Sequence, residues 1–351
     1  MHISQFDFPL PPDLIAQEPP AERGASRLLV LDRESGDVQH RAFADLPALL
    51  EPTDLVVVND TRVFHARLLG RRTPGGGAVE CLLLRRMGAD TWEALVHPGQ
   101  RLRIGSRMTF ETPERRLEGE ILARHFHGRR TVRLWAHGGN GVDAVEEIIE
   151  RIGHVPLPPY IKRSDTAVDR ERYQTVYARE RGSVAAPTAG LHFTPALLAG
   201  LDHRGVERAT ITLQVGYGTF QPVRVDAIES HTVDPEHFEV PPQAAEALSR
   251  ARREHRRIIA VGTTTVRTLE SLSVAADSSV AASSGQTSLF IRPGHRFRLV
   301  DGLITNFHLP RSSLLILVCA FAGRERVLAA YDAAVRERYR FYSYGDAMLI
   351  V

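Results

Sequence analysis

Between about residues 66 and 155 the chain breaks into short apolar runs divided by glycine and proline: ARLLGRRTPGGGAVECLLLRR, DTWEALVHPG, SRMTFET, LEGEILARHF and RRTVRLWAHGG. Runs this short, with turn residues between them, favour strands over helices, and their rhythm predicts a small all-β unit, a barrel or a sandwich. Both flanks read differently. RLLVLDRESGDVQHRAF predicts two short strands joined at Ser35-Gly36, and DLVVVNDTRV a buried strand ending in Asn59 and Asp60. After Pro156-Leu157-Pro158-Pro159 the α/β character resumes, so the β-unit reads as an insertion in a larger α/β domain.

In that second part TPALLAGLDHRG predicts a helix, RATITLQVGYGTF a strand, PPQAAEALSRARREHRR a helix opened by prolines, and RRIIAVGTTTVRTLESL a strand, loop and helix. The serine-rich stretch from Ser271 to Ser288 offers little to bury and is expected as a surface loop. FRLVDGLITNFHL and a C-terminal helix follow, and the apolar, aromatic FYSYGDAMLIV is expected to pack.

Composition removes several function classes. Lys+Arg 44 against Asp+Glu 42 gives +2, so no global charge excess marks a nucleic-acid partner, and Lys162 is the only lysine. There is no HExxH, GxSxG or CxxC, and no lysine in a glycine loop, which lowers metal hydrolysis, hydrolase-type acyl transfer and ATP-driven chemistry. Cys81 and Cys319 both lie in apolar runs, which fits a reducing compartment rather than a disulfide. The N-terminus lacks the basic start of a signal peptide, and LLILVCAFAG at 314–323 is too short to span a membrane. The expectation is a cytoplasmic protein.

Two segments carry more polar chemistry than a core requires. TAGLHFTP, 188–195, and LITNFHLPRSS, 303–313, each place a histidine among Phe and Leu and stop at a proline. An imidazole buried there needs partners for its ring nitrogens, so His192 and His308, with Thr188, Gly190 and Asn306, point to a shared polar pocket; for His308 the alternative is a satisfied core histidine. GTTTVR, 262–267, follows a strand and opens a helix, so Thr263, Thr264 and Arg267 either hold an anion or sugar hydroxyl or only cap the helix. VGYGTFQPV, 215–223, is a glycine-rich turn whose Tyr217 or Phe220 can stack on a purine. ESHTVDPEHFEV gathers His231, Asp234 and Glu236, a set suited to proton transfer or cation recognition, or else a solvated loop. Asn59, Asp60, Arg62 and Arg67 either pin a loop or meet a substrate hydroxyl and phosphate. Tyr344 and Asp346 either line the pocket or lock the last strand. The run Arg252-Arg253-Glu254-His255-Arg256-Arg257 reads as a solvated helix face or a track for RNA.

These motifs occur together, and in order, in one family. LIAQEPP, SRLLVLDR, NDTRVFHARLLG, SVAAPTAGLHFTPALL, VGYGTFQPV, AVGTTTVRTLES, LFIRPG, DGLITNFHLPRSSLLILVCAFAG and FYSYGDAMLI resemble the S-adenosylmethionine:tRNA ribosyltransferase-isomerases of queuosine biosynthesis, nearly end to end. The resemblance implies an α/β domain, mixed-sheet or barrel-like, over residues 1–66 and 155–351, with a small β-barrel inserted at 67–154. It implies a monomer that consumes S-adenosylmethionine as cosubstrate, needs no metal, and acts on 7-aminomethyl-7-deazaguanine at the tRNA wobble position to give epoxyqueuosine-tRNA, adenine and methionine.

Within that frame His192 or His231 is expected as the base, with Glu236 orienting it or receiving the cationic amine. His308 and Asn306 are expected at ribose hydroxyls or the adenine edge. Thr263, Thr264 and Arg267 fit the methionine carboxylate or an RNA phosphate. The chain departs from the family at one point: where HxMHxE is common, it has His231-Thr232-Val233-Asp234-Pro235-Glu236, so Asp234 stands in place of the second histidine. Its ordinary pKa of about 4 makes it the weaker base. A methyltransferase or a catalytically silent tRNA-binding module are the competing readings.

Overall fold

The structure is a computed structural model that describes residues 1–136, 142–220 and 222–351; the side chains of 142–144 and 220 are outside that description. The chain opens with β1 (Arg27–Leu31) and β2 (Val38–Ala42), the expected hairpin across Ser35-Gly36, followed by the short α1 (Leu46–Leu49). β3 (Leu55–Asn59) is buried at all five residues, and β4 (Thr61–Val63) leaves the sheet at its end.

The short runs then form β5 (Arg67–Thr73), β6 (Ala78–Arg86), β7 (Thr91–His97), β8 (Arg107–Glu111), β9 (Arg116–Arg124) and β10 (Arg129–Ala136). They close into an antiparallel barrel in the order β10-β7-β6-β5-β8-β9. Alternation explains the closure. In β7 Trp92, Ala94 and Val96 point inward while their neighbours do not, so six such strands fill one small core with Cys81, Met108 and Phe110. α2 (Val142–Ile152) packs on this unit through Val145, Ile148 and Ile149.

Downstream lie α3 (Ala167–Arg172), β11 (Glu180–Ser183), which pairs with β4, and α4 (Pro195–His203). The large sheet takes up β12 (Glu207–Leu213), β13 (Glu236–Val240), then after α5 (Pro242–Arg253) β14 (Ile258–Val261). After α6 (Thr263–Ser271) come β15 (Ser283–Thr287) and β16 (Gly302–Asn306); α7 (Ser313–Ala322), α8 (Arg324–Arg336) and β17 (Ala347–Ile350) complete it. Among the described residues the order is β15-β13-β12-β3-β14-β16-β17-β1-β2, an open mixed sheet. β12, β3, β14 and β16 run parallel, so their carboxyl ends share one edge.

Three expectations are corrected here. The serine-rich stretch is not all loop: Ser283–Thr287 pairs antiparallel with β13, because an edge strand needs only one partner and little burial. The C-terminal helix is two helices, since Gly323 at φ +86 breaks the run. The basic run is a solvated face only in part: Arg253, Glu254 and His255 are exposed, but its last two arginines are engaged. Arg257 makes a bidentate contact with Asp54 at 2.8 and 2.7 Å and Arg256 bonds Glu207 at 2.8 Å, beside the amino ends of β3, β12 and β14.

One buried carboxylate joins the parts that frame the site. Asp169 accepts from Arg163 at 2.7 and 2.9 Å, from the Thr166 amide at 2.8 Å and from Tyr344 at 2.7 Å. Burial pushes its pKa up, but these donors outweigh burial and hold it down from 3.8 to about 2. The stability it contributes is therefore complete above the unfolded value of 3.8 and is lost as pH falls through about 2. Denaturant titrations of Asp169→Asn should show a lower stability at neutral pH and a flatter acid slope than the parent chain. Parallel acid slopes would refute this linkage.

Candidate active site

The parallel edge of the sheet opens into a cleft. The cleft lies where open α/β sheets bind ligands, beyond the carboxyl ends of the strands. Val215, Leu309, Pro310 and Leu314 make its apolar walls. Its polar lining comes from the ends of β14 and β16, the start of α6, the turn at Thr188, and Tyr160, Tyr342 and Ser343. Among the described residues this lining has no carboxylate, arginine or lysine.

Three buried polar atoms on that lining have no hydrogen-bond partner among the described residues: Asn306 Oδ1, Thr264 Oγ1 and Tyr342 Oη. Buried polar atoms are rarely left so, and three in one cleft make it the candidate site. The sequence named Asn306 and Thr264 but not Tyr342. Tyr342 has φ +76, a left-handed conformation costly for a residue with a Cβ, and its ring packs on Tyr160 at 4.1 Å. The aromatic composition of FYSYGDAM was legible, but that backbone angle has no sequence signal.

His192 and His308 do not line one pocket. His308 lines the cleft, with Nε2 2.8 Å from Thr305 Oγ1, while its backbone N–H donates to Tyr331 Oη at 3.0 Å. His192 stands behind the cleft wall: Nε2 is 3.1 Å from Asn306 Nδ2 and Nδ1 is 2.9 Å from Ser26 Oγ. Burial pushes the pKa of each down to about 3, for His192 with help from Arg340 and Arg23, so both are neutral imidazoles. Gly190 is required by packing rather than by a ligand, since a Cβ there would lie 2.3 Å from Tyr177 Oη. Thr188 lines the cleft beside it.

The start of α6 faces the cleft through Thr263 and Thr264, one residue after Gly262, whose φ of +89 lets β14 turn directly into the helix. No loop intervenes. One turn on, Arg267 is buried: Nη1 donates to Glu236 Oε2 at 2.6 Å, Nε to the Leu289 carbonyl at 3.1 Å, and Nη2 has no partner among the described residues. Glu236 Oε1 accepts from the Gly216 amide at 2.8 Å and Thr219 Oγ1 at 3.2 Å. Both its oxygens are thus engaged, and its visible work is to hold Arg267 and the 216–219 turn.

Arg267 also lines a second groove that meets the cleft at Thr219, Pro222 and Leu314. His231 is in that groove, half-buried, with its ring edge-on to Phe290 at 4.9 Å; burial lowers its pKa. Asp234 lines the same groove and the hollow on the barrel side, and pairs with Arg129 of β10, which also meets Glu93. Tyr217 lines a larger hollow between barrel and sheet, with Trp92 and Arg129. The side chain of Phe220, and Gln221, lie outside the described residues.

The remaining candidates are placed away from the cleft. Asn59 is consumed by β12 and Thr61, donating to the Leu213 carbonyl at 3.0 Å and accepting from the Thr61 amide at 3.1 Å. Asp60 accepts from Thr212 Oγ1 at 2.7 Å and pairs with Arg179 at 3.0 Å, while burial raises its pKa. Arg62 is exposed on β4, and Arg67 forms a bidentate pair with Glu80. Asp346 accepts from the amides of Arg27 at 2.9 Å and Arg340 at 2.8 Å, which locks β17, while Tyr344 binds Asp169. Among the described residues no three metal-ligating side chains converge, and no helix is long and apolar enough to cross a membrane.

A mixed sheet whose parallel edge carries an apolar cleft with unpartnered polar atoms defines the class: an α/β protein with a candidate small-molecule site at the carboxyl ends of its strands. The chain belongs to the family described as Queuosine biosynthesis protein, whose profile matches residues 3–350. It is 52% identical over 351 residues to S-adenosylmethionine:tRNA ribosyltransferase-isomerase of Heliobacterium modesticaldum, covering 100% of both chains. It is 54% identical to the protein of that name from Anaeromyxobacter sp., covering 100% of this chain and 99% of the relative. The crystal structure of S-adenosylmethionine tRNA ribosyltransferase from Thermotoga maritima is similar at 38% identity and a TM-score of 0.55, covering 99% of this chain and 100% of that one.

Proposed function

We propose that this chain transfers and isomerises the ribosyl moiety of S-adenosylmethionine onto 7-aminomethyl-7-deazaguanine at the tRNA wobble position, giving epoxyqueuosine-tRNA, adenine and methionine. The observation that carries the reading is the set of three unpartnered buried atoms, Asn306 Oδ1, Thr264 Oγ1 and Tyr342 Oη, in a cleft without charged side chains. Such a lining suits the uncharged parts of the cosubstrate, its adenine and ribose. The carboxylate of its methionine belongs with the unsatisfied Nη2 of Arg267, in the adjoining groove one turn into α6.

The chemistry begins with removal of a C5′ proton, made acidic by the adjacent sulfonium. The ribose then opens and releases adenine, the aminomethyl nitrogen attacks, and epoxide closure expels methionine. His231 is the base: a half-buried imidazole with a lowered pKa is unprotonated at neutral pH and can accept that proton. His308 and Asn306 hold the nucleoside. Glu236 acts through Arg267 and the 216–219 turn rather than by orienting His231. Asp234, bound to Arg129, joins the catalytic loop to the barrel, where a family histidine would have offered an imidazole.

The anticodon reaches the cleft along the hollow between barrel and sheet, past Tyr217, with its modified base out of the stack. We take residues 67–154 as the inserted unit and the enzyme as a cytoplasmic monomer. The test is one incubation with S-adenosylmethionine and tRNA bearing 7-aminomethyl-7-deazaguanine, read by mass spectrometry. Adenine and methionine in equal amounts, with a matching mass gain on the tRNA, are expected. S-adenosylhomocysteine would instead make it a methyltransferase, and RNA binding without consumption would make it a silent module.

A further inference from the structure

We infer that His192 is a positioning residue, which fixes the Asn306 carboxamide so that Oδ1 accepts a hydrogen bond from an N–H or O–H of the nucleoside in the cleft. The inference rests on the cleft being the S-adenosylmethionine site and assigns who reads the nucleoside there.

The geometry leaves one consistent pattern of protons. An amide nitrogen only donates, so at 3.1 Å from Asn306 Nδ2 the His192 Nε2 must be the acceptor, and its proton sits on Nδ1, facing Ser26 Oγ at 2.9 Å. The second Nδ2 hydrogen goes to the Tyr342 carbonyl at 2.9 Å. Turning the carboxamide over would set Oδ1 against that carbonyl; even with the imidazole proton moved to Nε2 to keep the His192 contact, one hydrogen bond is exchanged for a repulsion. Oδ1 therefore points away from both partners and is the buried acceptor left without one. Phe43 packs against the imidazole at 5.0 Å and limits its rotation. Ser26 lies just before β1, His192 before α4 and Asn306 at the end of β16, so the sequence places the relay on three separate elements.

An imidazole with both nitrogens committed, outside the cleft lining, has no lone pair for a substrate proton. Its contribution is the orientation of an acceptor. The donors that an adenosyl group offers are the exocyclic amine and the ribose hydroxyls, and substrate analogues separate them.

Adenine release is measured for the intact chain and for His192→Phe, His192→Gln, Asn306→Ala and the double variant His192→Phe/Asn306→Ala, as kcat and KM for S-adenosylmethionine. His192→Phe should lower kcat/KM about tenfold or more. His192→Gln, whose carboxamide oxygen can accept from Asn306, should recover at least about fivefold of that loss. It should also keep the acid limb of the pH–rate profile, which a substituted base would not. The double variant should be within about threefold of Asn306→Ala, because the two residues act as one unit.

Discrimination against the inosyl analogue, which lacks the amine, or against deoxyribosyl analogues should collapse in Asn306→Ala, and which of the two collapses names the donor. Additive losses in the double variant, loss of the acid limb in His192→Gln, or discrimination untouched by Asn306→Ala would each overturn the inference. If His192→Phe does not fold by thermal melting, Ser26→Ala, which removes only the partner of Nδ1–H, replaces it in the same cycle with the same criteria. An intact chain that releases no adenine defeats the proposed reaction, whereas turnover with an additive cycle defeats only the role of His192.

Discussion

His231→Gln is expected to slow single-turnover adenine release by roughly 10²–10⁴-fold, the span usual for loss of a general base. Glutamine keeps much of the ring's bulk but cannot take a proton at neutral pH. The physical basis is the placement of His231 in the groove that meets the cleft at Thr219, Pro222 and Leu314. Its pKa is lowered by burial, so the sign is definite: the active, neutral form persists at neutral pH, and the rate declines only on acidification below the ordinary imidazole range. The variant should lose that decline together with the rate. A His231→Gln enzyme within about threefold of the parent, with the same acid limb, would remove His231 from the base position; proton transfer would then fall to His308, which lines the cleft.

Glu236→Gln should cost about 3–5 kcal/mol of folding stability, measured by denaturant titration. The carboxylate and Arg267 are a buried pair 2.6 Å apart, with side chains 5% and 7% exposed. Removing the negative charge strands a guanidinium whose Nη2 already has no partner among the described residues. The same change weakens the grip on Gly216 and Thr219, so adenine release per folded molecule should fall as well. Adding Arg267→Met should restore part of the stability but not the activity, because it removes the stranded charge along with the group proposed for the carboxylate. Unchanged stability in the single variant would show that this pair does not hold the turn.

Much of this architecture is legible in local sequence because local physics decides it. Glycine and proline between the short runs predict an all-β unit, a barrel or a sandwich, which closes as a barrel; β14 stands out as wholly apolar and β3 as apolar up to Asn59. The Ser283–Thr287 strand is illegible for the opposite reason: its polar side chains carry no alternation, and its pairing to β13 depends on an edge supplied elsewhere. Motif density located Asn306, Thr264 and His308 on the cleft, but proximity in a motif does not specify direction. Asn59 and Asp60 stand at a strand end, as ligand-binding residues often do, yet β12 engages Asn59 and Asp60 Oδ1, and Asp60 Oδ2 is ion-paired with Arg179. Ser26 could not be singled out, since its value lies in a contact with residue 192 that no spacing reveals.

The position of β17 has a consequence for how the protein is made. It lies between β16 and β1, and the residues just before it, Tyr342 and Ser343, form part of the cleft wall. A nascent chain translated only through α8 has its two N-terminal strands without their neighbour and its cleft without one wall. That wall is complete only once Ala347–Ile350 has inserted and the first and last parts of the sheet have become a single surface.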